Sequence, residues 1–250
     1  LSYCLLNQFL LYFCGNFILM KRHLLSILTL IIFLQSCNSG FSIKGKIENM
    51  PEQRFRIEEL GTDENVLIDS GKTNKDGSFA IQSKATEESL YRIKFERGKY
   101  ILLAVKNGDN AQIAGDWNQL ENYTVSGSAG SATLKGFLIN LRENIKDIQT
   151  MQVILDSISV KPKNDSLKKM AIDDLKNINA KFVAYVKKFA DTTQSVASDL
   201  FVVNIINHAY ETPYITEFYK KVKKRFPESK NEKVFSDKFL ASVKNLPAAK

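Results

Sequence analysis

The sequence predicts an α+β chain organised by segments. An N-terminal antiparallel β-sandwich or open barrel is followed by an all-helical region. Two periodicities carry this expectation. Apolar residues alternate with polar ones from Phe41 to Val125, the period of a half-buried strand. Beyond Ser126 they recur every three or four residues, the period of an amphipathic helix. The composition agrees with a folded chain. Of 250 residues 44% are hydrophobic and 25% charged, which argues against wholesale disorder and a polytopic membrane protein.

Phe41–Ile47 and Arg54–Glu58 alternate strictly. Val66–Ser70 leads through Gly71-Lys72-Thr73 to Asn74-Lys75-Asp76-Gly77, and Ser78–Gln82 returns from it. The Asp-Gly pair supplies positive-φ residues, so a tight hairpin is expected there. Leu90–Glu96 and Tyr100–Val105 flank a second hairpin at Arg97-Gly98-Lys99. Asn107-Gly108-Asp109 turns into Ala111–Asp116, and Tyr123–Val125 closes a series of eight strands.

Ser126–Ser131 is a run of small residues, and the boundary between the halves is placed near Gly127. Leu134, Phe137, Leu138, Leu141, Ile145 and Ile148 open a first helical stripe that continues to Ile158. Lys161-Pro162-Lys163-Asn164 interrupts it. Leu167 to Phe189 forms a second stripe. Ser195 caps a third, more apolar helix, Ala197 to His208. Thr212 as N-cap and Pro213 at the first helical position open a fourth. Ser229-x-x-Glu232 is a capping box for a fifth, running towards Leu246. Whether these helices form a separate bundle or cover the sheet stays open.

The chain's start carries a second kind of signal. Met20-Lys21-Arg22-His23 precedes the apolar run Leu24–Leu34, the basic start and short core of a secretory signal. That run is short for a membrane span, which needs ~20 apolar residues. Leu34, Gln35, Ser36 and Cys37 follow and resemble the bacterial lipobox, in which the thiol is acylated and becomes the new N-terminus. Residues 1–36 are therefore read as an upstream extension plus a lipoprotein signal peptide, with Met20 as initiator. A pair of membrane helices over 1–19 and 24–36 is the rival. The β-domain then spans 37–127 and the helical region 128–250. A chain processed at Cys37 keeps no free thiol, since Cys4 and Cys14 lie upstream. Dithiol redox chemistry and cysteine zinc sites are thereby excluded.

Charge is uneven. The chain carries a formal +8, and Lys220–Lys250, with ten Lys/Arg against three acids, holds most of it. No aromatic interleaving or nucleic-acid motif accompanies this tract, so it reads as a solvated basic helix end. Weak attraction to anionic headgroups is the sharper alternative. Asn74-x-Asp76-Gly77 is not an EF-hand loop, because Lys72 and Ser83 stand where ligands belong. His208 is the single histidine after residue 37, too few for a multi-histidine metal site, and it reads as a surface or helix-cap residue. Neither a nucleophile elbow nor a phosphate loop is present. Glu87-Glu88 and Asp173-Asp174 read as solvated charge. Tyr91, Tyr100, Trp117 and Tyr123 are core residues or, alternatively, line a ligand groove. Asp156-Ser157-Ile158, Asp165-Ser166-Leu167 and Asp191-Thr192-Thr193 resemble O-glycosylation sites of exported Bacteroidota proteins, which marks Ser157, Ser166 and Thr192.

The order Asp69-Ser70, Asp76-Gly77-Ser78-Phe79, Asn107-Gly108-Asp109-x-x-x-Ile113 and Val125-Ser126-Gly127-Ser128 resembles the unknown-function N-terminal domain of Bacteroidota thioredoxin-like lipoproteins. That resemblance implies a lipobox, then the β-domain, then a helical segment leading into a thioredoxin-like domain. The Trp-Cys-x-x-Cys centre of such domains has no counterpart here: Asn118 follows Trp117, and no cysteine lies beyond Cys37. No catalytic residue is carried over. The expected function is a lipid-anchored, periplasm-facing module, most simply on the outer membrane, that acts non-catalytically. Its expected partners are the membrane, through its anchor, and an envelope protein. No cofactor, metal or nucleic acid is expected. A thiol–disulfide oxidoreductase lacking its catalytic domain and a small-ligand-binding lipoprotein are the alternatives.

Overall fold

A computed structural model describes residues 40–61, 64–159, 165–206 and 211–244. Leu34, Gln35, Ser36, Cys37 and His208 lie outside the described residues. The eight strands are β1 (Phe41–Glu48), β2 (Arg54–Leu60), β3 (Asn65–Lys72), β4 (Ser78–Ser83), β5 (Ser89–Phe95), β6 (Tyr100–Val105), β7 (Asn110–Asp116) and β8 (Thr124–Ser126). They form two four-stranded sheets, ordered β4-β1-β7-β8 and β3-β2-β5-β6. The sheets face each other as a sandwich and do not close into a barrel.

Two features depart from the expected all-antiparallel pairing. β1 and β7 pair in parallel, Ser42 opposite Asn110 through Glu48 opposite Asp116. Asn74–Gly77 does not make a hairpin. β3 belongs to one sheet and β4 to the other, so this turn carries the chain across the sandwich. Gly77 has the expected positive φ of 76°, and its amide donates to Asn74 O at 3.0 Å. The local turn chemistry was legible; the partner of the returning strand was not. Arg97–Lys99 does close an antiparallel hairpin between β5 and β6.

Alternation puts Phe41, Ile43 and Ile47 of β1, Ile57 of β2 and Ile93 of β5 between the sheets, all buried. Two inward positions are glycine, and each faces a phenylalanine across the ladder. Gly45 lies opposite Phe79, and Gly71 opposite Phe55. A Cβ on Gly45 would sit 2.1 Å from Phe79 Cε1, and one on Gly71 2.8 Å from Phe55 Cζ. The rings occupy the space the missing side chains leave. They meet at 5.4 Å between centroids, and Phe95 packs against both at 5.7 and 6.4 Å.

The helices are α1 (Ala129–Ser159), α2 (Asp165–Thr192), α3 (Val196–Val203), α4 (Thr212–Arg225) and α5 (Lys230–Lys244). α3 ends at Val203, five residues before the expected His208. Ser195 caps it as expected, its hydroxyl accepting from the Ser198 amide at 3.1 Å. The N-cap of α4 is Glu211, without a side-chain bond, and not Thr212. Ser229 accepts from the Glu232 amide at 3.0 Å, which completes the first half of the capping box. Glu232 turns instead to accept from the Ser236 hydroxyl.

The helices cover the sheet. β6 is apolar on both faces: Ile101, Leu103 and Val105 point between the sheets, while Leu102 and Ala104 point outward under Leu134 of α1 and Ala197 of α3. Beneath α1 the small-residue run is a seam. Ser131 Oγ donates to Ala104 O at 2.8 Å, and the Ser128 hydroxyl accepts from the Ser131 amide at 3.3 Å. A Cβ on Gly130 would lie 2.4 Å from Glu88 Oε1. A second core joins the helices, centred on Phe137, Val186, Val202, Ile215, Phe218 and Val222. The described residues from Gly40 onward gather into one compact unit.

Candidate functional site

Glu87 and Glu88 are not the solvated pair the sequence suggests. They stand at the start of β5, under two helix starts. Glu87 Oε1 accepts from the Asn231 amide of α5 at 2.8 Å, and Glu88 Oε2 from the Ala197 amide of α3 at 3.4 Å. Unpaired amides at a helix N-terminus favour negative charge, so two adjacent carboxylates fasten two helices to the sandwich. Burial pushes the Glu88 carboxyl up, against bonds from Ser195 and Ala197 that hold it down. Asp173 and Asp174 are solvated on α2, as expected.

The basic tract divides similarly. Lys220, Lys221, Lys223 and Lys224 are exposed, whereas Arg225 turns inward to pair with Asp199 of α3. The Asp199 side chain is fully buried, and burial pushes its carboxyl up to about 8 with Arg225 opposing. Arg225 also donates to Thr193 O at 3.2 Å. This pair ties α3 to α4 across the helical core, a structural role.

Of the four aromatics that suggested a groove, Tyr91, Trp117 and Tyr123 are buried in the sandwich core. Tyr100 is 59% exposed. It stands at the mouth of a groove of about 620 Å³ between the outer face of β6, α1 and the 3-10 segment Trp117–Asn122. The apolar part of the groove is made by Leu60, Leu102, Leu138, Leu141 and Phe201. Four cations line it as well: Arg92, Lys99, Lys135 and Arg142, against the single carboxylate of Glu121.

Local structure fixes these cations. Arg92 shares the Glu58 carboxylate with Arg56, at 2.5 Å and 3.3 Å. Lys99 donates to Trp117 O and lies over the indole ring at 5.0 Å. Lys135 is 8% exposed; its ammonium donates to Glu121 O and sits 3.8 Å above the Tyr123 ring. Tyr123 is itself held by donating to Leu102 O at 2.7 Å. Both lysines therefore bond to neutral carbonyls, and neither is paired with a carboxylate among the described residues. Burial, and then the charge of Arg142, bring the Lys135 amine down to about 8, with Glu121 acting the other way. Lys135, Leu138, Leu141 and Arg142 share one stripe of α1, spaced at helical intervals. The sequence showed Lys135 only as one of many helix lysines; its burial comes from the sheet beneath it.

A second hollow of about 680 Å³ lies over β2, β3 and β5 and is lined by Arg54, Arg56, Lys72 and Lys94. Its cations are partly answered, by Glu52 on Lys72 at 2.7 Å and Glu58 on Arg56 at 3.3 Å.

Residues 41–134 match the family model described as Domain of unknown function (DUF4369). The match runs from β1 into the second turn of α1, so it takes in the whole sandwich and the helix start seated on β6. No curated protein matches the chain. Among the described residues, no three His, Cys, Asp or Glu are grouped to hold a metal, and no helix is long and apolar enough to cross a membrane. Ser157, Ser166 and Thr192 are exposed on helices. Ser157 Oγ donates to Val153 O and Thr192 Oγ1 to Lys188 O, both at 2.8 Å.

Proposed function

We propose that this chain is an exported, lipid-anchored module of a bacterial cell envelope that works by binding, without catalysis. The observation carrying the proposal is the order of Lys21-Arg22, the apolar run Leu24–Leu34 and Cys37, with β1 opening at Phe41. Only Asn38, Ser39 and Gly40 would then separate the acylated residue from the first strand. Such a tether holds the folded unit close to the bilayer, and several acyl chains give anchoring that a single chain does not. A periplasm-facing position on the outer membrane is the corresponding site. The envelope partner would meet a unit in which sheet and helices are fastened by Glu87, Glu88 and the seam at Ser128–Ser131.

The test is incorporation of labelled palmitate by the native host, followed by intact mass. Acylated wild type and unlabelled Cys37→Ala are expected. A wild-type product that retains its leader and carries no label overturns the anchor and the assigned compartment together. Within this proposal, a ligand-binding lipoprotein is the second reading, and the groove between β6 and α1 favours it.

A further inference from the structure

We propose that the groove between β6, α1 and the 3-10 segment binds a single-chain amphiphile with a carboxylate head, a fatty carboxylate. The proposal rests on the ligand-binding reading for there being a ligand at all. It does not depend on acylation at Cys37, and the two experiments fail separately.

Three observations meet in one place. The first is apolar surface in a hollow of suitable size. Leu102 on β6, Leu138 and Leu141 on α1 and Phe201 on α3 leave about 620 Å³ between them, within the ~300–1,000 Å³ of small-molecule sites. The second is charge. With Arg92 paired with Glu58, Lys99, Lys135 and Arg142 remain against Glu121 alone. Lys99 and Lys135 each use a carbonyl as acceptor, which leaves further ammonium donors for an anion. The third is that α1 holds Lys135 and Arg142 two turns apart on one face with the leucines between them. Two cations and an apolar stripe on one rigid element suit a ligand with an acidic end and a hydrocarbon body. A purely apolar ligand would leave the cations unanswered, and a small inorganic anion would leave the leucines uncovered. The depressed amine of Lys135 fits: an ammonium that burial and a neighbouring guanidinium both disfavour gains most from an arriving carboxylate.

The hollow over β2, β3 and β5 has basic residues, but Glu52 pairs with Lys72 there, Arg56 shares Glu58 with Arg92, and among the described residues no leucine lines it.

The test uses the full chain as purified from its native host, acylated or not, in detergent-free buffer, and a dodecanoate carrying a diazirine near its tail. After irradiation, peptide mapping is expected to place the adduct on the segments holding Tyr100, Leu138, Leu141 or Phe201. Excess dodecanoate should suppress labelling at least ten-fold, and dodecylamine of equal chain length should not. Lys135→Gln/Arg142→Gln should label at least ten-fold less than wild type. Arg142→Gln alone, at the half-buried outer end, is the second variant should the double one fail to fold, and it too should lose labelling. Adducts spread over the surface, equal competition by the amine, or wild-type labelling of a folded variant would each overturn the proposal.

Discussion

Replacing Gly45 with alanine places a methyl group where Phe79 already is. The new Cβ would lie 2.1 Å from Phe79 Cε1 and Cζ. Carbon atoms rest at ~3.5–4.0 Å, so the ring must withdraw by more than about 1 Å. Its way is blocked by Phe55 at 5.4 Å and Phe95 at 5.7 Å between centroids. Overpacking of this kind costs ~1–3 kcal/mol. Alanine also restricts the unfolded chain, which offsets ~0.4–1 kcal/mol. A net loss centred on about 1.3 kcal/mol, and no larger than about 2.6 kcal/mol, follows. Phe79→Leu removes the clashing edge and should itself cost about 1 kcal/mol or somewhat more. Together the two should be at least ~1 kcal/mol less harmful than their sum, because the clash exists only when both original partners of the new contact are present. Urea titration followed by emission of Trp117, which lies 5.6 Å from Phe95, reads this directly. If Gly45→Ala stabilises the protein, or the two effects add within ~0.3–0.5 kcal/mol, the account of the glycine–aromatic pairs is wrong.

Breaking the Asp199–Arg225 pair from one side, as Arg225→Ala, should cost up to about 3–5 kcal/mol at about pH 9, where the wild-type carboxyl is ionised and paired, and less at about pH 6, where burial already keeps it protonated. Asp199→Leu/Arg225→Met should recover most of that loss in the same urea experiment; a double variant as unstable as the single one would refute it. Lys135 makes a pH-dependent contribution of defined sign. Its amine lies at about 8 in the folded chain against 10.5 ordinarily, so between those values the unfolded chain binds more protons. Stability should therefore rise with pH across that window, and its cost should be fully present below it. Urea midpoints at about pH 7.5 and about pH 9.5 should show the rise in wild type, and Lys135→Met should lack it while being more stable at the lower pH. An equal rise in both proteins would assign it to other groups.

Periodicity made the elements legible because it is a local property. Each strand from Phe41 and each helix from Leu134 was visible in the spacing of its own apolar residues. The Ser195 and Ser229 caps were visible because a cap lies within three residues of what it satisfies. Sheet membership was not legible. Asn74–Gly77 has the residues of a tight turn whether the next strand returns to its neighbour or crosses to the opposite sheet. Nothing local marks β7 as the parallel partner of β1. The two-faced apolar run Ile101–Val105 did carry a usable signal: a strand that is apolar on both sides needs a cover on each, and α1 supplies the outer one. The glycine–phenylalanine pairs, the helix-capping role of Glu87 and Glu88 and the burial of Lys135 each join residues far apart in sequence. They became readable only once strand register and helix placement were known.

The parallel pairing of β1 has a consequence for how the chain acquires its shape. β1 lies between β4, whose residues follow some 35 positions later, and β7, which follows some 70 later. The earliest strand to emerge during vectorial synthesis therefore waits for almost the whole sandwich before both its ladders can close. Contacts of such long sequence separation slow folding. The sheet β4-β1-β7-β8 therefore cannot close its ladders until Asp116 has been made, whereas β3-β2-β5-β6 needs nothing beyond Val105.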